Sequence, residues 1–172
     1  MTLRSVVLLV VAATLCAMPA RAQSMPGCGP AKVKFDVVPD TAAAPVPPPD
    51  AGKASVVFIE NSGDKYGHGA VTTLFGIDGN WIGAAHGESY FNVSVDPGEH
   101  HLCSYWQTRF IKLGDPVGTD ALHLTAAAGK TYFFLTRFPA APGGSVRFEP
   151  LDSDEAQLLM STFRRVTSHV KK

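Results

Sequence analysis

The stretch from Thr72 to Gln107 constrains the fold more than any other part of the chain. It holds an apolar run to Ile77, the pair Asp78-Gly79, and a short run Trp81 to Gly83. Tyr90 to Val95, Asp96-Pro97-Gly98 and Glu99 to Gln107 follow. Apolar side chains alternate with polar or small ones, the period of a strand with one buried face. Asp-Gly suits a two-residue hairpin, whose turn needs positive φ at both positions. Asp-Pro-Gly combines a pre-set φ with the freedom of glycine. Consecutive antiparallel strands are therefore expected.

The same rhythm extends along the chain. Ala54 to Glu60 and Thr131 to Arg137 are apolar on both faces, as interior strands of a layered stack should be. Val33, Phe35 and Val37 alternate with charged residues and read as an edge strand or extended strap. Leu122 to Thr125 and Val146 to Phe148 supply further short strands. Seven or eight strands at this spacing predict a mainly β fold: an antiparallel β-sandwich with immunoglobulin- or transthyretin-like layering. The period changes once. Asp152 and Glu155 have the spacing of a helix cap, and Ala156, Leu159 and Phe163 follow at helical spacing, so one short C-terminal helix should pack on the sandwich.

Ahead of the strands lies a leader. Arg4, the apolar run Val6 to Leu15 and Ala20-Arg21-Ala22 have the layout of a secretory signal peptide cleaved before Gln23. The run is short for a bilayer span, so no transmembrane segment is expected after cleavage. Cys16 raises a lipoprotein reading, but Leu15 is too large for the position before a lipidated cysteine. The expected organisation is a signal peptide over 1–22, a Pro-rich strap over 23–52, a sandwich domain with its helix over 53–163, and a solvated basic tail over 164–172. Five prolines between Pro39 and Pro49 give the strap its spacer character.

Charge and cysteines narrow the setting. The chain carries 15 Lys+Arg against 15 Asp+Glu; cleavage would remove two of the former, Arg4 and Arg21, and none of the latter. Such a balance gives no electrostatic footprint for nucleic acid. Cys28 and Cys103 survive cleavage into a periplasmic or extracellular, oxidising compartment, where a pair suggests one disulfide. Two free thiols are the alternative. Neither cysteine belongs to a C-x-x-C pair, so a thioredoxin-like role has no support.

Gly76 to Gly83 (GIDGNWIG), Tyr90-Phe91 and Val95 to His100 (VDPGEH) together resemble a pattern in bacterial envelope proteins. There, a hydrophobic-Asp-Gly turn precedes Pro-Gly-x-His in small β-sandwich domains. PEGA domains show it, as does an exported bacterial family of unknown function with a PEGA-like pattern. Ala128 to Tyr132 (AGKTY) and Asp152 to Gln157 also look like that family. The resemblance spans about Lys53 to Met160 and implies a scaffold; it carries no activity, cofactor or site.

Chemistry-bearing residues are sparse. No G-x-S-x-G is present, Ala128 to Thr131 only imitates the end of a phosphate-binding loop, and turn roles account for Asp64, Asp78 and Asp96 as carboxylates. The chain is read as a non-enzyme with no cofactor. Tyr66, Trp81, Tyr105 and Trp106 are candidate binding aromatics, which could anchor a protein or stack on sugar, with core packing as the ordinary competing role. His68, His86, His101 and His123 are the alternative, a metal-ligating set. His100, its neighbour in sequence, points to the opposite strand face and is better suited to bonding near the turn. The functional expectation is an exported, non-catalytic envelope module binding an envelope protein or a cell-wall glycan, with residues 61–69 and 108–119 as recognition loops. A periplasmic metal-binding protein is the alternative.

Overall fold

The computed structural model describes residues 24–25, 28–30, 32–41, 46–63, 71–107, 120–137 and 147–172. Along the chain run β1 (Ser24–Met25), β2 (Gly29–Pro30), β3 (Phe35–Pro39), β4 (Ala54–Asn61), β5 (Thr72–Ile77), β6 (Asn80–His86) and β7 (Glu88–Val95). They are followed by β8 (Gly98–Trp106), β9 (Asp120–Ala126), β10 (Thr131–Arg137), β11 (Arg147–Leu151), α1 (Ser153–Thr162) and β12 (Arg164–Val170). The fold is mainly β. A six-stranded mixed sheet has the order β11-β10-β4-β7-β12-β3, a four-stranded antiparallel sheet has the order β6-β5-β8-β9, and β1 and β2 form a small ribbon. No helix among the described residues is long and apolar enough to cross a membrane.

Strands apolar on both faces occupy the middle layer. On β4, Val56 and Phe58 join a core shared with Phe75, Ile77, Leu102 and Leu124 of the four-stranded sheet. Their neighbours Val57 and Ile59 turn the other way, to Tyr90, Leu135 and Ala156 of the helix. Phe58 is the hub: its ring centroid lies 4.9 Å from Phe75, 5.4 Å from Phe91, 6.3 Å from Phe134 and 6.1 Å from Phe148. Truncating so buried a ring to alanine costs about 3–5 kcal/mol in general.

The Asp78-Gly79 hairpin forms as expected, with φ of 51° and 78°. Asp152 caps α1, its carboxylate accepting from the N–H groups of Asp154 and Glu155 at 2.7 and 3.0 Å. The Glu155 side chain does not reach back to the cap; it accepts from Arg137 on β10 at 3.0 Å. Ala156 is buried, and Leu159, Met160 and Phe163 pack against the outer face of the six-stranded sheet.

Two expectations are corrected. The larger sheet is mixed, not antiparallel: β10 runs parallel to β4 with Phe134 opposite Phe58, and β12 runs parallel to β7. Side-chain alternation is identical for both directions, so the pattern could not separate them. Residues 164–172 are also not a solvated tail. Arg164–Val170 is a strand inserted between β7 and β3, pairing antiparallel with the latter from Val166 opposite Pro39 to Val170 opposite Phe35. The sheet therefore extends beyond 53–163 on both sides. Its charged residues are accommodated by specific partners: Arg165 donates to Asn92 Oδ1 at 3.0 Å and lies 3.8 Å from Asp40.

Side chains also stitch the sheets where they come together at their margins. The N–H of Ala84 on β6 donates to Ser168 Oγ on β12 at 2.9 Å. The N–H of Phe148 on β11 donates to Asp120 Oδ2 on β9 at 2.9 Å. Each bond occupies a backbone donor near a margin where open ladder positions would invite other chains.

Candidate functional site

Cys28 and Cys103 are joined, with their Cα atoms 5.6 Å apart and a sequence separation of 75. Closing a loop of that length stabilises by about 4 kcal/mol in the chain-entropy picture. The bridge clips the N-terminal strap to the outer face of the four-stranded sheet, and Gly76 makes room for it. A Cβ at residue 76 would stand 2.7 Å from Cys28 O and 2.8 Å from Cys103 Sγ. Downstream, the Gln107 side-chain amide brackets Phe35: Phe35 N–H donates to Oε1 at 2.6 Å, and Nε2 donates to Phe35 O at 2.9 Å.

This strap occupies two of the aromatics expected to bind partners. Trp81 Nε1 donates to Pro30 O at 2.9 Å. A Cβ on Gly29 would meet the Trp81 ring at 2.7 Å. Tyr105 lies beside Trp81, ring centroids 6.2 Å apart, and both pack against Phe35, Leu74 and Ala84. They hold the chain's own strap. Trp106 is half-buried at the end of β8, while Tyr66 lies outside the described residues, as do most of the 61–69 loop and all of 108–119.

The histidines separate into roles. His100 is a clamp, its Nδ1 2.7 Å from Asp78 Oδ2 and its Nε2 2.8 Å from Asp96 O, so it ties the β5–β6 turn to the β7–β8 turn. The Asp96 carbonyl beside its ring and the Asp78 carboxylate raise its pKa, outweighing partial desolvation. His86, at the end of β6, pairs through Nδ1 with Thr72 Oγ1 of β5 at 2.8 Å, while β9, with His123, lies at the opposite margin of that sheet from β6. His68 is outside the described residues. Of the four expected ligands, the structure brings together His101 and His123, which are directly opposed across β8 and β9 with ring centroids 5.7 Å apart. Among the described residues, no group of three or more His, Cys, Asp or Glu is arranged to hold a metal.

Glu60 went unnoticed in the sequence. It ends the run that begins at Ala54, in the same inward register as Val56 and Phe58, and it is fully buried. Thr136 Oγ1 donates to its Oε2 at 2.6 Å. Burial pushes its pKa from the ordinary 4.5 to about 7, against the pull of hydroxyls on Thr136, Thr73 and Ser62. Thr73 and Ser62 favour the ionised form by proximity, yet Glu60 Oε1 and Thr73 Oγ1 each lack a partner in full hydrogen-bond geometry among the described residues. The signal for finding it was a lone acid inside an apolar strand.

A cavity of about 640 Å³ opens on the helix side of the six-stranded sheet. Val46, Tyr90, Met160 and Phe163 give it an apolar floor; Asp40, Gln157, Ser161, Arg164 and Arg165 give it a polar rim. None of these had been singled out from sequence as binding residues, because they converge from the strap, β7, α1 and β12. Arg165 is held by Asn92 and Asp40, whereas the exposed Arg164 makes no ion pair among the described residues. An aromatic and aliphatic floor with a few convergent polar groups is the usual character of a small-ligand site. The sequence matches no family model, no curated protein and no solved structure.

Proposed function

We propose that this chain is an exported, non-catalytic module of the bacterial envelope that holds a cell-wall glycan fragment in the cavity between α1, β7 and β12. The observation that carries the reading is the cavity's composition. Its floor offers apolar and aromatic surface to the faces of a sugar ring, and its rim offers Asp, Gln, Ser and Arg side chains to hydroxyl, amide and carboxylate groups. The PEGA-like resemblance, the leader and the Cys28–Cys103 bridge support an envelope setting. The shared core between the two sheets supports a sandwich layered like immunoglobulin or transthyretin domains.

Titration of the oxidised protein with soluble peptidoglycan fragments, followed by amide resonances, tests this. Shifts should centre on Gln157, Ser161 and Arg164, and a Gln157→Ala, Arg164→Ala double variant should weaken binding at least tenfold. Undisturbed resonances at millimolar fragment would overturn the glycan reading. Shifts produced instead by an envelope protein segment would replace the ligand and keep the site.

A further inference from the structure

We propose that His101 and His123 form a two-histidine chelate for a divalent ion of the zinc, nickel or copper class on the outer face of β8 and β9, with Glu99 as the positioning carboxylate. The site is independent of the cavity on the helix side.

The strands place the pair. His101 lies directly opposite His123, and Glu99 directly opposite Thr125, two residues along on the same faces. Opposed residues on one face of an antiparallel pair have Cβ atoms about 4.5–5.5 Å apart, within reach of one another's rings. A zinc–imidazole bond of about 2.0–2.1 Å puts the ion about 3.2 Å from the ring centre, so a tetrahedral angle separates two ring centres by about 5 Å. The observed 5.7 Å is within a small side-chain adjustment of that value. His101, His123 and Glu99 are exposed, so adjustment costs little packing and the ion has open access.

The carboxylate supplies what an isolated pair of histidines lacks. Glu99 Oε2 contacts His123 Nε2, and Thr125 Oγ1 donates to Glu99 Oε1 at 2.8 Å. A carboxylate accepting from Nε2–H fixes the tautomer and leaves Nδ1 with its lone pair for an ion; such supporting partners typically tune affinity 10–100-fold. His100 cannot compete, because both its ring nitrogens are engaged. With two protein ligands, water completes the coordination, which agrees with the lack of any three-residue group among the described residues. Imidazole nitrogen selects zinc, nickel and copper over calcium or magnesium.

The test is zinc titration of the oxidised protein by calorimetry, with nickel as a paramagnetic probe read through amide and imidazole resonances. Sub-stoichiometric nickel should broaden residues around His101 and His123 first. His101→Asn and His123→Asn should each weaken zinc binding at least tenfold, while His86→Asn and His169→Asn leave it unchanged. Glu99→Gln should weaken it several-fold and change the His123 nitrogen shifts that report its tautomer, a readout that a merely structural role would not move. First broadening at another histidine, zinc affinity indifferent to His101→Asn and His123→Asn, or binding only at millimolar zinc would each overturn the proposal.

Discussion

The Asp78 carboxylate lies 2.7 Å from the Nδ1 of His100, and its other oxygen accepts from the His101 N–H at 2.8 Å. Through this one side chain the tip of the β5–β6 hairpin is fastened to the first residues of β8. The folded state therefore prefers His100 protonated, since its pKa is raised. That contribution is complete below the unfolded histidine pKa of about 6.5 and is lost as pH rises through the higher folded value. His100→Gln should flatten that part of the stability profile, read by denaturant titration at pH 6 and pH 8. An unaltered slope would count against the clamp.

Glu60 predicts a second pH dependence. Its raised pKa means the folded state holds a proton that the unfolded chain has released, so stability falls between pH 4.5 and about 7. The total available is on the order of 3 kcal/mol. Glu60→Gln should be close to neutral at pH 4.5 and stabilising at pH 8, by thermal unfolding across pH. Equal effects at both values would mean that the carboxyl is solvated.

Gly76→Ala places a methyl against Cys28 O and Cys103 Sγ, a backbone atom and a bridged sulfur that have little room to yield. The expected cost is about 1–3 kcal/mol in the oxidised protein. After reduction the strap can lift, so the difference between variant and parent should shrink. Denaturant midpoints measured with and without reductant check this.

Truncation after Phe163 removes β12 and leaves β3 without its antiparallel partner. Amides of Asp36, Val38 and Asp40, which face β12 in this register, should then lose hydrogen-exchange protection by orders of magnitude, while the β5–β8 ladder keeps most of its own. Retained protection at these three amides would show that the Gln107 bracket and the disulfide suffice to hold the strap.

What could be read beforehand was local. Asp78-Gly79 specifies its turn through the φ values it tolerates, Asp152 specifies a cap, and Phe58 with Ile59 announces a strand buried on both sides. The Cys28–Cys103 bridge was legible as the expected pairing of the two cysteines that follow the leader pattern. Strand direction was not, because Phe58 alternates identically whether Phe134 comes to it parallel or antiparallel. β12 was hidden because only Val166 is buried in it, its other residues being secured by partners such as Asn92 and Ala84 that are remote in sequence. The cavity rim was invisible for a similar reason: Asp40, Gln157 and Arg164 belong to three separate stretches. Trp81 and Tyr105 stand out in the sequence as candidates to bind a partner, but sequence could not show that the chain's own strap packs against them.

The position of β12 has a bearing on how the molecule is made. A chain that emerges N-terminus first carries β3 for more than a hundred residues before its sheet partner exists. Until then, among the described residues, contacts to the four-stranded sheet can retain the early segment, the Cys28 bridge and the Gln107 bracket among them. Oxidation ahead of the arrival of the last strand would hold the first in waiting, so the order of thiol chemistry and chain delivery should govern the yield of correctly assembled protein.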